Sequence, residues 1–248
     1  APLPILFIHA MLCTHFNSVS HFMDHLVSLA AKHLSDIISD AILLEAHENA
    51  LVIFDTEAPL TRILLEGYRQ ALPRGEFFDI AGKSAAEILD RINHCAEGDL
   101  VVLLQSTNFR LNEFRIRIEL FNRGLRTIEH IHLLRMSEDQ FETYIETLAY
   151  DKQYYQRYGQ GIKAVLDTAD HIVVSCPGTT LEYHGGMESA KLNIGDYTKM
   201  KNVGGTYPIG EVFTEAKDLT KVNGTTSIFA YAGEDHNVRI VEPFTVQI

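Results

Sequence analysis

The chain has 248 residues, enough for one large domain or two smaller ones, and its 46% hydrophobic and 22% charged residues describe a chain that buries a core and is not disordered. With 33 acidic and 21 basic residues the formal charge is −12, a field that repels phosphate backbones and anionic lipid, so nucleic acid and membrane surfaces are not expected partners. Three widely spaced cysteines, Cys13, Cys95 and Cys176, form no CxxC pair, which argues against a disulfide framework and for a reducing, cytoplasmic setting.

From the start, Pro4 to Cys13 is apolar but too short to span a bilayer, and reads as a buried opening strand. His21 to Asp40 has helical spacing, with Phe22, Leu26, Leu29, Leu34 and Ile37 apolar. Ala50 to Phe54 reads as a strand ending at Asp55, and Pro59 to Leu72 as a helix with proline in its first turn. Phe77 to Ile80 suits a strand, and Ser84 with Glu87 forms a capping box that opens a helix to Ala96. Leu100 to Leu104 is continuously apolar, as a strand covered on both faces is. A helix over Leu111 to Asn122 ends at Gly124, and Ile128 to Leu134 is a strand. Ser137 and Gln140 form a second capping box. A helix over Gln153 to Thr168 and a strand over His171 to Ser175 close the series.

Strands alternating with helices imply an α/β fold, a mainly parallel sheet with helices on both faces. After residue 176 the chain turns rich in Gly, Thr, Tyr and Asn. Thr180–Tyr183 and Ala190–Ile194 are expected to pair as a hairpin, and Thr226–Ala232 with Val238–Ile248 as antiparallel strands. The expected division is a βα-repeat domain over 1–176 and a smaller antiparallel β-rich segment over 177–248.

Little in the first part points to chemistry. Six of the twelve histidines, His9, His15, His21, His25, His33 and His47, lie near the start, and His21 and His25 have the i, i+4 spacing of a zinc-binding helix. The glutamate that follows the first histidine in zinc proteases is replaced by Phe22, and surface histidines are the plainer reading. Cys176 stands at a strand end before Pro177-Gly178, a common place for a reactive group, although a buried thiol is the commoner outcome. No phosphate-binding glycine loop follows any strand.

The informative stretch is Gly204-Gly205-Thr206-Tyr207-Pro208-Ile209-Gly210-Glu211-Val212-Phe213-Thr214, with Val222-Asn223-Gly224 downstream. Pro208 and Gly210 shape a turn that presents the Glu211 carboxylate at the start of an extended run, and a carboxylate held this way makes a good metal ligand. The stretch resembles the signature of the thermophilic-metalloprotease family of aminopeptidases, relatives of leucyl aminopeptidase T. The match is carried by Pro208, Gly210, Glu211, Val212, Phe213, Thr214 and Val222-Asn223-Gly224. Upstream Gly178-Thr179-Thr180 resembles the family's Gly-Thr-Asp with Thr180 in place of the acid.

The resemblance implies that Glu211 matches the family's first metal ligand, for zinc, cobalt or iron. The family's other ligands, a Glu, two His, a Tyr and an Asp, are matched by nothing before Ile248 except in residue type, by Glu215, Glu234, Asp235 and His236. The expectation is therefore a shortened, non-catalytic relative without a cofactor, an accessory protein that binds peptide or protein in a peptide-processing or biosynthetic pathway. Its expected surface is Tyr207, Val212, Phe213, Val238 and Ile240, and its expected state a homodimer. The rival expectation is a metal-dependent aminopeptidase, or a non-haem iron ring-cleaving dioxygenase, with its remaining ligands supplied from outside this chain.

Overall fold

The computed structural model describes residues 22–108, 110, 111, 114–233 and 238–248. The expected strand over Pro4–Cys13, and His9, His15, His21 and Glu234 to His236, lie outside the described residues. The chain is α/β, with a five-stranded parallel sheet and helices followed by antiparallel sheets. It divides into two compact units: residues up to Tyr155 with Gly195–Ile209, and Gln156–Ile194 with Gly210–Ile248. The expected boundary at 176 lies inside the second unit. No helix among the described residues is long and apolar enough to cross a membrane.

In the first unit, helix α1 (22–36) runs into a π-helical turn, Ile37–Ile42, which ends where Leu43 turns left-handed and returns its N–H to Ile38 O. Strand β1 (Ala50–Phe54) leads to α2 (Pro59–Ala71) and β2 (Glu76–Asp79). Helix α3 (Ala85–Asn93) opens on the expected capping box: Ser84 Oγ accepts from Glu87 N at 3.3 Å, and Ser84 N donates to Glu87 Oε2 at 2.9 Å. Strand β3 (Leu100–Leu104) precedes a short antiparallel pair, β4 (Arg110–Leu111) and β5 (Phe114–Arg115). The helix expected from Leu111 is shortened by that pair to α4 (Ile116–Asn122), before β6 (Arg126–His130). Two 3-10 turns, the second opened by Ser137 with Gln140, lead to α5 (Phe141–Glu146). Helix α6 (Lys152–Thr168) follows, and the unit boundary falls within it.

The parallel sheet has the order β10-β6-β3-β1-β2, where β10 (Gly204–Thr206) returns to the first unit from far along the chain. Its register explains the unbroken apolar runs. Val52, Leu100, Val102 and Leu104 enter one core cluster with Leu26, Leu34, Ile63 and Leu64 of α1 and α2, while Leu51, Ile53, Val101 and Leu103 enter another with Ile88 and Ile92 of α3 and Leu120 of α4. Alternate side chains point to opposite faces of a strand, so a sheet covered on both faces needs apolar residues at every position.

The second unit is antiparallel. β7 (His171–Cys176) and β8 (Thr179–His184) form a tight hairpin across Pro177-Gly178, and Gly178, with φ +76°, takes the left-handed position such a turn requires. Thus the strand read as closing the βα series belongs to the other sheet, and β8 pairs with β7 and β12, not with the segment after Ala190. That segment, β9 (Lys191–Asn193), pairs with β11 (Glu211–Phe213). The long strands β12 (Val222–Ala232) and β13 (Val238–Gln247) pair as expected and complete a sheet of order β13-β12-β8-β7. Helix α6 is tied to the approach of β9, where Lys163 Nζ donates to Ala190 O at 2.5 Å and Asp167 Oδ1 accepts from Ala190 N at 2.7 Å.

Candidate functional site

The motif Gly204 to Thr214 is one run in sequence but is divided between the units. Its first half is β10, laid beside β6 in the parallel sheet with Gly205 opposite Ile128. Tyr207 follows and is 2% exposed, its hydroxyl 3.3 Å from that of Tyr197. It is a core side chain and not part of a peptide or partner surface, because its N–H joins Glu129 O and draws it into the buried end of the sheet. The Tyr207–Pro208 peptide bond is cis.

The second half belongs to the second unit. Gly210 has φ +122°, outside the range that other residues adopt readily, and its N–H donates to Asn193 O at 2.9 Å. That places Glu211 at the first position of β11, opposite Asn193, with its side chain in solvent. Val212 is half-buried and Phe213 is exposed with Lys191 Nζ above its ring at 5.7 Å. Val238 and Ile240 stand open on β13.

The turn therefore presents Glu211 as the sequence suggests. Among the described residues, however, Glu211 joins no group of three His, Cys, Asp or Glu side chains close enough to share an ion. Among the described residues Glu211 is alone, and one carboxylate does not fit the ligand set that the family resemblance implies, which adds a Glu, two His, a Tyr and an Asp and leaves an open position.

Two further groups of polar residues were not read from the sequence. The first lies in the first unit, at the C-terminal ends of β1, β3 and β6. Asp55 Oδ2 accepts from Ser106 N at 2.9 Å, Asp55 Oδ1 accepts from Ser106 Oγ, and Ser106 Oγ accepts from Ala58 N at 2.7 Å. Next to them Glu129 is paired with Arg117 at 2.6 Å and bonded to Gln105 and Thr206. His130, fully buried, lies 2.9 Å from both Tyr68 Oη and Tyr144 Oη, and burial lowers its pKa to about 3. Burial likewise raises the phenols of Tyr68 and Tyr144 above the ordinary range. These ends are where open α/β sheets usually bind ligands, and β1 and β3 meet at the point where the strand order reverses. Here Asp55, Gln105, Ser106, Glu129 and His130 are each 8% exposed or less, and the bonds between them close the sheet end. The second group is His171, Glu182 and His184, together on the β7–β8 hairpin.

The other histidines fit surface or structural roles. His25 is exposed, 3.6 Å from Glu142, and His47 is exposed, 3.4 Å from Glu45. His33 is buried on α1, and desolvation lowers its pKa. Cys176 is exposed, at the end of β7.

No family model matches the sequence, and no curated protein does. Among solved structures, the fold is similar to that of wild-type AmpT from Thermus thermophilus, a leucyl aminopeptidase T of the thermophilic metalloprotease family, with a TM-score of 0.46 and 16% identity over 92% of this chain and 69% of that one.

Proposed function

We propose that the chain is a non-catalytic, peptide-binding relative of the metallo-aminopeptidases, an accessory protein that pairs as a homodimer through β12 and β13. The observation that carries the reading is the open edge at β13. This strand pairs only with β12 among the described residues, and it holds Val238 at 69%, Ile240 at 74% and Phe244 at 47% exposure. The cross-strand register puts Ile228 opposite Phe244 on one side of an irregularity in the pairing, and Ala230 opposite Ile240 and Ala232 opposite Val238 on the other, so the apolar side chains form cross-strand pairs. Removing one such side chain from water contributes about 1.5–3 kcal/mol. An edge strand also offers unpaired N–H and C=O groups that a second copy or an extended peptide completes. Phe213, exposed on β11, and Val212 beside it are the contacts we assign to peptide.

Among the described residues Glu211 has no fellow ligand, and a single carboxylate gives no activated water for amide hydrolysis, which supports the non-catalytic side of the reading. The rival, a metal-dependent aminopeptidase or an iron dioxygenase that takes zinc, cobalt or iron through Glu211 and outside ligands, is favoured by one feature: Glu211 begins β11 with its side chain in solvent.

Light scattering at micromolar concentration is expected to give twice the 27.9 kDa chain mass, and Val238→Asp with Ile240→Asp a monomer. A wild-type monomer would overturn the homodimer. Leucine and arginine anilides with added zinc or cobalt are expected to remain uncleaved, and turnover that Glu211→Ala abolishes would establish the rival.

A further inference from the structure

The β7–β8 hairpin gathers His171, Glu182 and His184 on one face for a simple geometric reason. Glu182 and His184 are two apart on β8 and so share a face, and His171 is the cross-strand partner of His184. The hydrogen bond from Gly185 N to Asp170 O lies one step outward, so by alternation His171 and His184 are a non-hydrogen-bonded pair, the kind whose side chains stand closest. The two imidazoles are stacked, with centroids 4.3 Å apart and planes 7° from parallel. Both turn Nε2 toward one carboxylate oxygen: Glu182 Oε2 is 3.1 Å from His184 and 3.6 Å from His171.

We propose that His171, Glu182 and His184 form a binding site for a divalent first-row transition ion of the zinc class, apart from Glu211. The donor set supports this. Two imidazole nitrogens and one carboxylate oxygen are a common ligand set for zinc, and imidazole also suits cobalt, nickel and copper, whereas magnesium and calcium prefer oxygen ligands. The spacing supports it as well. Bonds near 2.1 Å in tetrahedral geometry separate donors by about 3.4 Å, and the two distances to Glu182, 3.1 and 3.6 Å, fall on either side of that value. All three donor atoms lie within 4.8 Å of one another, and swinging the two rings out of their stack about the Cβ–Cγ bonds aims both nitrogens and the carboxylate at one ion. The three side chains are each between 46% and 47% exposed, which leaves room for water or a partner's donor in the fourth position. The register of the paired strands holds all three residues on one face of the hairpin.

The proposal does not depend on the peptide-binding reading, and its test separates the two metal questions. The whole chain, stripped with a chelator, is titrated with Zn²⁺ in a calorimeter and with Co²⁺ by visible absorption. One ion per chain is expected, with no heat from Ca²⁺. His171→Asn and His184→Asn are each expected to weaken Zn²⁺ binding at least about tenfold, with the double variant losing the Co²⁺ bands, and Glu211→Ala is expected to leave both signals unchanged. Circular dichroism of the variants should match the wild type, since the side chains are solvent-facing. Wild-type protein that binds no Zn²⁺, or binding that survives the double variant or vanishes in Glu211→Ala, would overturn the proposal.

Discussion

Strands β3 and β13 are both rich in apolar residues, and the molecule uses them in opposite ways. Every side chain of β3 is buried, with 0% exposure from Leu100 to Leu104, whereas Val238, Ile240 and Phe244 of β13 face solvent. The difference lies in what the chain does between strands. In the first unit each βα connection brings a helix, and α1 with α2 cover one face of the sheet while α3 with α4 cover the other. In the second unit β7 and β8 are joined by the two-residue turn Pro177-Gly178, and such a hairpin brings no cover of its own. An apolar strand is thus a core element or an open surface according to its connections.

The sharpest way to break this comparison is a pair of truncations. Leu103→Ala removes a fully buried side chain and is expected to cost about 2–5 kcal/mol of stability. Ile240→Ala, measured in dilute monomer, is expected to stay within about 0.5 kcal/mol. Urea midpoints followed by circular dichroism check both, and equal losses would mean that β13 is covered after all.

Acid distinguishes the units next. His130 is held neutral in the first unit by burial, with its pKa lowered to about 3 from the ordinary 6.5. Between those values the unfolded chain binds a proton that the folded chain does not, so stability falls as pH drops through the window and is fully present above 6.5. The slope contributed by one such group approaches about 1.4 kcal/mol per pH unit. His33, lowered in the same direction by desolvation, adds to it. Thermal melts from pH 7 to pH 4 are expected to show the decline, and His130→Gln to flatten it. A wild-type profile that stays level would remove the buried neutral imidazole from the account.

What the sequence disclosed followed the same division. The first unit's strands β1 and β3 and its helices α2 and α3 were legible because their signals are local: unbroken apolar runs, Pro59 at a helix start, and the Ser84–Glu87 box. The membership of β7 was not legible. His-Ile-Val-Val-Ser reads equally well as a buried parallel strand or one of an open pair, since periodicity does not name a strand's partner. Nor was β10: Gly204-Gly205-Thr206 has almost no side chain to read, and only its pairing with β6 makes it a strand. The candidate site shows the same limit. The turn at Gly210 and the exposed Glu211 were visible in composition, but the burial of Tyr207 depends on the motif being shared between two units. The His171, Glu182 and His184 group was invisible because its members are joined across the hairpin by register and not by spacing along the chain.

A smaller effect tests how much of the first unit's legibility is energetic. Ser84 caps α3 through its hydroxyl, and Ser84→Ala leaves Glu87 N without that acceptor. The expected cost is about 1 kcal/mol, the usual value of an N-cap. Ser84→Gly should lose only a few tenths, because glycine leaves the cap open to water. Urea midpoints of the two variants check the order, and equal stability of Ser84→Ala and wild type would make the box a mark of the helix start without weight in its stability.

The smallest expected effect is the one that bears most on the second unit. In dilute monomer, Ile240→Asp places a carboxylate where an apolar side chain already meets water, so the folded state loses little packing and the change is expected to stay within about 0.5 kcal/mol. At micromolar concentration the same substitution sets two carboxylates against each other at a paired β13 edge, and like charges placed opposite on neighbouring strands oppose pairing. The signature is therefore an unfolding midpoint that depends on protein concentration in the wild type and is flat in Ile240→Asp, because association stabilises only the folded chain. Ile240→Thr, which keeps a branched side chain without the charge, should lie between them. A wild-type midpoint already independent of concentration, with both variants alike, would show that β13 does not pair with its own copy. The contrast with β3 would survive, but the homodimer would not.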